Sequence, residues 1–376
     1  MSELINKHDS RVSIRWTLLA SVSMLALGGY TFSATVARAD DGGHPQVWIE
    51  LGGQLSRLDD SQEAFAPSFL TGRPAIFSQP EKFERPSRYS IDEVGKLTFQ
   101  PKGLDWVFTA SVSYGRASSN RHIHQQTYAG AAHFPTPSHS TVQPRAAKFA
   151  DTNSTNSQSH LILDFAAGKD VGMGMFGQDS SSIIEAGVRF AQFHSKTNIA
   201  LKSDPDFHFS SKYLPTAEVS VPKYQAYHTF AANMQARRSF HGVGPTISWD
   251  GSAPLVGNQQ DGQLSVDWGI NAAVLFGRQK AATQHQTSGH YYKRTLKYTI
   301  NTHYQHPAPP QSRSRNVVVP NIGGSVGASY RVENFKVSFG YRADMFFNAM
   351  DVGIDARKSK TVGFYGPFAN VSIGLP

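Results

Sequence analysis

The segment FKVSFGYRADMFF (residues 335–347) alternates apolar and polar positions with period two. Successive side chains of a strand point to opposite faces. Phe335, Val337, Phe339, Tyr341, Ala343, Met345 and Phe347 therefore share one face, and Lys336, Ser338, Gly340, Arg342 and Asp344 the other. The pattern recurs in LDWVFTASVSYGR (104–116), SIIEAGVRFAQ (182–192), LSVDWGINAAVLFG (264–277) and PNIGGSVGASYR (320–331). In each, a greasy face opposes Gly, Ser, Asn and isolated charges, and no long helical period competes.

The spacing between these runs predicts ten strands, at 47–55, 92–100, 104–115, 159–169, 181–195, 238–250, 263–279, 317–331, 335–348 and 361–375. KYQAYHTFAANMQ (223–235) is a candidate for a further strand, which would make room for twelve. Connections alternate in length. Those at 101–103 and 332–334 are very short, and those at 172–181 and 251–262 are short to moderate. Residues 56–91, 116–158, 196–237 and 280–316 are polar and rich in Pro, His, Ser and Gln, and read as long loops. Globular domains rarely carry several structureless loops of that length, whereas outer-membrane barrels pair short periplasmic turns with long extracellular loops. The expected fold is all-β, a transmembrane antiparallel up-and-down β-barrel of about ten strands (eight to twelve). An even count puts both termini on the periplasmic side. In the last strand Val362 and Phe364 share a face, but beyond Pro367 the greasy face is Ala369, Val371, Ile373 and Leu375. A bulge at Gly366–Pro367 would produce that slip.

A soluble β-sandwich also alternates. Lipid is favoured by the length of the strands, which exceeds the usual five or six residues. It is also favoured by the aromatics on the greasy face: Trp106, Tyr114, Trp268, Tyr330, Tyr341 and Phe347 sit where interface girdles would. At the N-terminus, Arg11 and Arg15 precede an apolar run that closes on Ala37-Arg38-Ala39, the form of a secretory signal peptide over 1–39. The barrel domain then spans 40–376. The chain has no cysteine, so disulfides and thiolate metal sites are excluded. Its net charge of +8 is not clustered into a run, which argues against nucleic acid as a partner.

No residue group pairs for chemistry. GMGMFG (172–177) fits the dinucleotide fingerprint, but a strand follows where a helix is needed. SDPDFHF (203–209) gathers Asp204, Asp206 and His208 without a calcium-loop glycine pattern, and reads as solvated loop. No G-x-S-x-G occurs. No cofactor, metal or catalytic step is expected. What remains is the set of inward charges: Asp105, Asp164, Glu185, Arg189, Asp267, Arg331, Lys336, Arg342 and Asp344. Charges of both signs in a lumen tune which ions pass, or pair and fill a narrow interior. Arg342 and Asp344 are adjacent inward positions placed to neutralise each other.

VWIELGGQ, LDFAAGKDVGMGMFG, AGVRFAQF, NAAVLFGRQ, VSFGYRADMFF, GIDARKS and GFYGPFA resemble the Legionella-type major outer-membrane protein family. The likeness falls on the expected strands and short turns, as patches between unlike loops. It implies an outer-membrane, pore-forming barrel of a Gram-negative bacterium and brings no catalytic residues. The expected function is passive diffusion of small hydrophilic solutes or ions. The alternative is a structural or adhesive barrel with a closed lumen that acts through its loops; a barrel enzyme lacks a paired constellation. Expected partners are outer-membrane lipid and lipopolysaccharide, the barrel-assembly machinery and small solutes or ions; a homo-oligomer is compatible. The chain ends Ile373-Gly374-Leu375-Pro376, without the terminal aromatic that the assembly machinery reads in many barrels.

Overall fold

The computed structural model describes residues 47–59, 89–101, 106–128, 146–171, 181–214, 219–258, 260–295, 297–307, 309–354 and 356–375. Within them lie eleven strands: β1 (Val47–Asp59), β2 (Ser90–Phe99), β3 (Trp106–Tyr128), β4 (Ala146–Asp170), β5 (Ser181–Leu214), β6 (Val219–Asn258), β7 (Gly262–Thr295), β8 (Thr299–Pro307), β9 (Gln311–Val332), β10 (Phe335–Asp351) and β11 (Ser359–Leu375). Consecutive strands pair antiparallel except β8 and β9; β7 pairs both β6 and β9, and β11 returns to β1. The ring is closed and has ten members. β8 stands outside it, paired with Gln286–Arg294 of β7 beyond the stretch of β7 that holds β9. Residues 223–235 belong to β6 and add no strand to the ring.

The start of β1, the end of β11 and the β6–β7 and β9–β10 turns gather at one end, where Val47 faces Leu375 on one side and Phe99 on the other. The β9–β10 turn passes through Glu333, at φ 50°. At the β6–β7 turn the Asn258 side chain accepts from the Gln260 and Asp261 amides at 2.9 and 2.7 Å. Gly257 and Gly262 flank that turn at φ 92° and 121°, where a side chain would be strained.

Most strands run well past their expected ends. Residues read as long loops at 116–158, 196–237 and 280–316 are in large part strand. The reason is a change of environment along each strand. Near the tight-turn end the outward face is apolar: Phe165, Val188, Ile247, Ile270, Phe276 and Phe339 are each half or more exposed. On β7 this face runs from Leu264 to Phe276, which at about 3.4 Å per residue and a tilt of about 40° spans about 30 Å, the height of a bilayer's apolar band. Higher up the faces exchange character. On β5 the outward positions become His194, Lys196, Asn198 and Lys202, while Ala191, Phe193, Ile199 and Leu201 turn inward and are buried. No register shift intervenes between β4 and β5. The border is one row wide. Leu163, Phe190, Val243, Phe276 and Val318 face one another across five strands as an apolar row, and the next outward row is Leu161, Gln192, His241, Arg278 and Asn316.

The last strand corrects one expectation. Arg342 pairs Gly366 and Tyr341 pairs Pro367 in unbroken register, so there is no bulge at Gly366–Pro367. Val362 and Phe364 are inward because they lie in the upper storey, where the core is inside. The irregularity of this strand pair lies between Phe346 and Met350 of β10 instead, beside Asn348 at φ 56°.

Candidate functional site

The interior of the lower storey is polar, and Arg189 on β5 is its hub. Its guanidinium donates twice to Asp164 of β4, Nε to Oδ1 at 2.7 Å and Nη2 to Oδ2 at 2.9 Å. Nη1 donates to Asn271 Oδ1 at 2.7 Å and to Asn321, and stands 4.0 Å from Asp344 Oδ1. One side chain thus joins β4, β5, β7, β9 and β10 across the bore. Such bidentate, planar pairing is the particular capacity of arginine. Lys336 Nζ meets Asp267 at 2.7 Å, and Ser252 donates to the same carboxylate at 2.6 Å. Lys96 of β2 reaches Asp250 of β6, four places around the ring, at 3.3 Å. Glu185 accepts from Thr109 at 2.5 Å and from Ser248 at 3.4 Å. Glu50 accepts from Asn370 at 2.7 Å and Ser372 at 3.2 Å.

Asp164, Glu185, Arg189, Asp267, Lys336 and Asp344 are therefore brought into networks of the kind alternation suggested. Asp344 faces Arg189 and Asn271, while the Arg342 guanidinium lies 5.4 Å from the centre of the Phe368 ring. Arg331 sits at the tight-turn end, 4.7 Å over Trp48, and donates to the Glu333 carbonyl at 3.1 Å. Asp105 lies outside the described residues, as do GMGMFG and residues 1–39. The backbone of SDPDFHF belongs to β5. Sequence reasoning missed Glu50, Lys96 and Asp250. Glu50 was available, since it alternates with Ile49 and Leu51; Lys96 and Asp250 lie on β2 and β6, whose alternation is weaker.

These interior charges are not sealed. The side chains of Lys96 and Asp250 keep 33% and 41% of their surface exposed, and those of Lys336 and Asp267 27% and 24%. Above them the bore is shut. Phe193, Phe240, Leu275, Val319, Phe346 and Phe364 form one buried cluster, drawn from six strands. Phe193 of β5 and Phe364 of β11 come from opposite sides of the ring, yet their ring centres are 5.5 Å apart. Phe346 packs edge-on to Phe193 at 4.8 Å. The stretch from Asn348 to Ile354 turns in over this cluster, and its carbonyls accept from Arg238, Gln279, Thr283 and Arg313 at 2.8, 2.5, 2.9 and 2.7–2.8 Å. Asp351 takes Arg313 Nε at 3.1 Å and the Gly353 and Lys358 amides at 3.1 and 3.0 Å, which fixes that turn. At the plug's edge the His160 ring packs tilted against Phe364, centres 4.0 Å apart, and points Nε2 at Asp92, 3.3 Å away.

A family model described as the Legionella pneumophila major outer membrane protein precursor matches residues 94–374. Among curated proteins none matches. Among solved structures, the transport unit of the Escherichia coli autotransporter AIDA-I is 10% identical over 91% of this chain and 94% of its own, with a TM-score of 0.23. The Pseudomonas putida toluene transporter TodX is 8% identical over 89% and 91%, with a TM-score of 0.20. Likenesses this loose decide nothing about activity.

Proposed function

This chain belongs to the Legionella major outer-membrane protein family, and from that premise we propose that it is a porin-like conduit for small hydrophilic solutes or ions, with no chemical step, whose upper bore is closed at rest by an apolar plug. The reading is carried by the contrast inside the barrel: partly exposed charges of both signs below, and an aromatic cluster that meets across the ring above. Apolar constrictions gate pores by excluding water. Among the described residues carboxylates outnumber cations in the lower bore: Glu50, Asp164, Glu185, Asp250, Asp267 and Asp344 against Lys96, Arg189, Arg331, Lys336 and Arg342. The excess favours cations.

A second reading has its own support. The same plug suits a permanently closed structural or adhesive barrel. Planar-bilayer conductance of the wild type and of a Phe193→Ala/Phe364→Ala variant separates the two, with folding followed by heat-modifiable gel mobility. We expect small or rare steps from the wild type and frequent, larger, cation-preferring steps from the variant. Silence from both folded proteins would sink the conduit and leave the closed barrel.

A further inference from the structure

The outward face of β5, β6 and β7 carries Lys196, Lys202, Arg237, Arg278 and Lys280 above the apolar border, and residues 191–202, 231–242 and 277–293 of these strands contain no Asp or Glu. Lys196 and Arg237 lie directly opposite each other in register. Like charges so placed repel unless an anion sits between or beside them. The neighbouring β3–β4 face differs, because there outward His122 is bonded to Asp151. The cationic rows begin one step above Phe276 and Val318, at the height where the headgroups of the outer leaflet begin.

A surface recess of about 920 Å³ opens at this level. Its walls include Arg278, Arg315, Arg357 and His241, its lower edge includes Phe276 and Val318, and no carboxylate among the described residues lines it. Arg278 donates to Ser314 Oγ at 2.5 Å and Arg357 to Ser359 Oγ at 2.9 Å. Both acceptors are neutral, so they orient the guanidinium groups without cancelling their charge. Arg278 and Arg357, with Arg315 from the inward-facing side of β9, meet at this recess above an apolar, half-exposed strip and form an amphipathic cradle. It fits a ligand with phosphate at one end and hydrocarbon at the other.

We propose that this recess binds lipopolysaccharide, with a lipid A phosphate held by Arg278, Arg315 and Arg357 and an acyl chain running down past Phe276 and Val318. The proposal rests on the outer-membrane placement and not on conduction, so an open or closed lumen leaves it untouched.

The test is titration of the purified full chain in neutral detergent with bisphosphorylated lipid A, its phosphate-free analogue and inorganic phosphate. The wild type should prefer the phosphorylated lipid. A folded Arg278→Gln/Arg315→Gln/Arg357→Gln variant should bind it about a hundredfold more weakly, and Arg116→Gln, on the β3 side, should not change it. Equal wild-type affinity for the two lipids would overturn the proposal without reference to any variant. Undiminished binding by the folded triple variant would overturn it too. Inorganic phosphate binding as tightly as the lipid would reassign the recess to a free anion.

Discussion

Two halves of strand β5 behave as if solvated by different liquids. From Ile184 to Phe190 the apolar side chains Ile184, Ala186, Val188 and Phe190 face out, with Glu185 and Arg189 inside; from Ala191 to Leu201 Phe193, Ile199 and Leu201 are inside, with His194, Lys196 and Asn198 out. Backbone, pairing and register are continuous through the change. Only the surroundings differ: lipid outside the lower storey, water outside the upper. A closed barrel supplies the same ladder of hydrogen bonds in both, so the side chains alone encode where the membrane ends.

The sharpest way to break the comparison is to move one charge across the border. An arginine at Ile270, outward and mid-belt on β7, should cost about 2–4 kcal/mol, whereas Ala282→Arg, outward on the same strand in the upper storey, should cost little. Urea unfolding of both variants in lipid vesicles checks this, and equal losses would mean the belt is misplaced. A middle-sized effect sharpens the contrast of the two interiors. Arg189→Met leaves Asp164 and Asp344 without their shared cation and should destabilise by about 1–3 kcal/mol, while adding Asp164→Leu should restore part of it. Strict additivity in that cycle would deny the pair its role. The smallest effect concerns the outer surface. Lys196→Glu places opposite charges across from Arg237 and should raise the unfolding midpoint slightly at low salt, with the gain vanishing at high salt. A gain that survives high salt would need a cause other than charge.

The lower storey was legible because lipid outside and charge inside give the strongest period-two contrast a sequence can carry. The upper storey was hidden for two separate reasons. In NSTNSQSH (153–160) both faces are polar, with Ser154, Asn156 and Gln158 buried opposite Thr155 and Ser157, so hydropathy has no period and the stretch imitates a loop. At Val362 and Phe364 the period is present but inverted, and an inverted period looks the same as a bulge until the register is known. The inward charges followed from alternation alone. Their partners did not, because which residue of β6 meets Lys96 of β2 depends on the tilt and stagger of the closed ring.

β8 stands apart from the closure of the ring. Each ring strand pairs with a neighbour on either side over part of its length, but β8 ends the sheet order and, among the described residues, is held by β7 alone. Half of its amide and carbonyl groups therefore point away from any ladder, and closure of the ring does not protect them. Its sequence, TINTHYQHP, is short, polar and stopped by a proline, which discourages a second chain from completing the ladder. Those outward amides will trade their hydrogens with solvent long before the amides of β5 or β6, making β8 the part of the sheet whose opening requires no disturbance of the barrel.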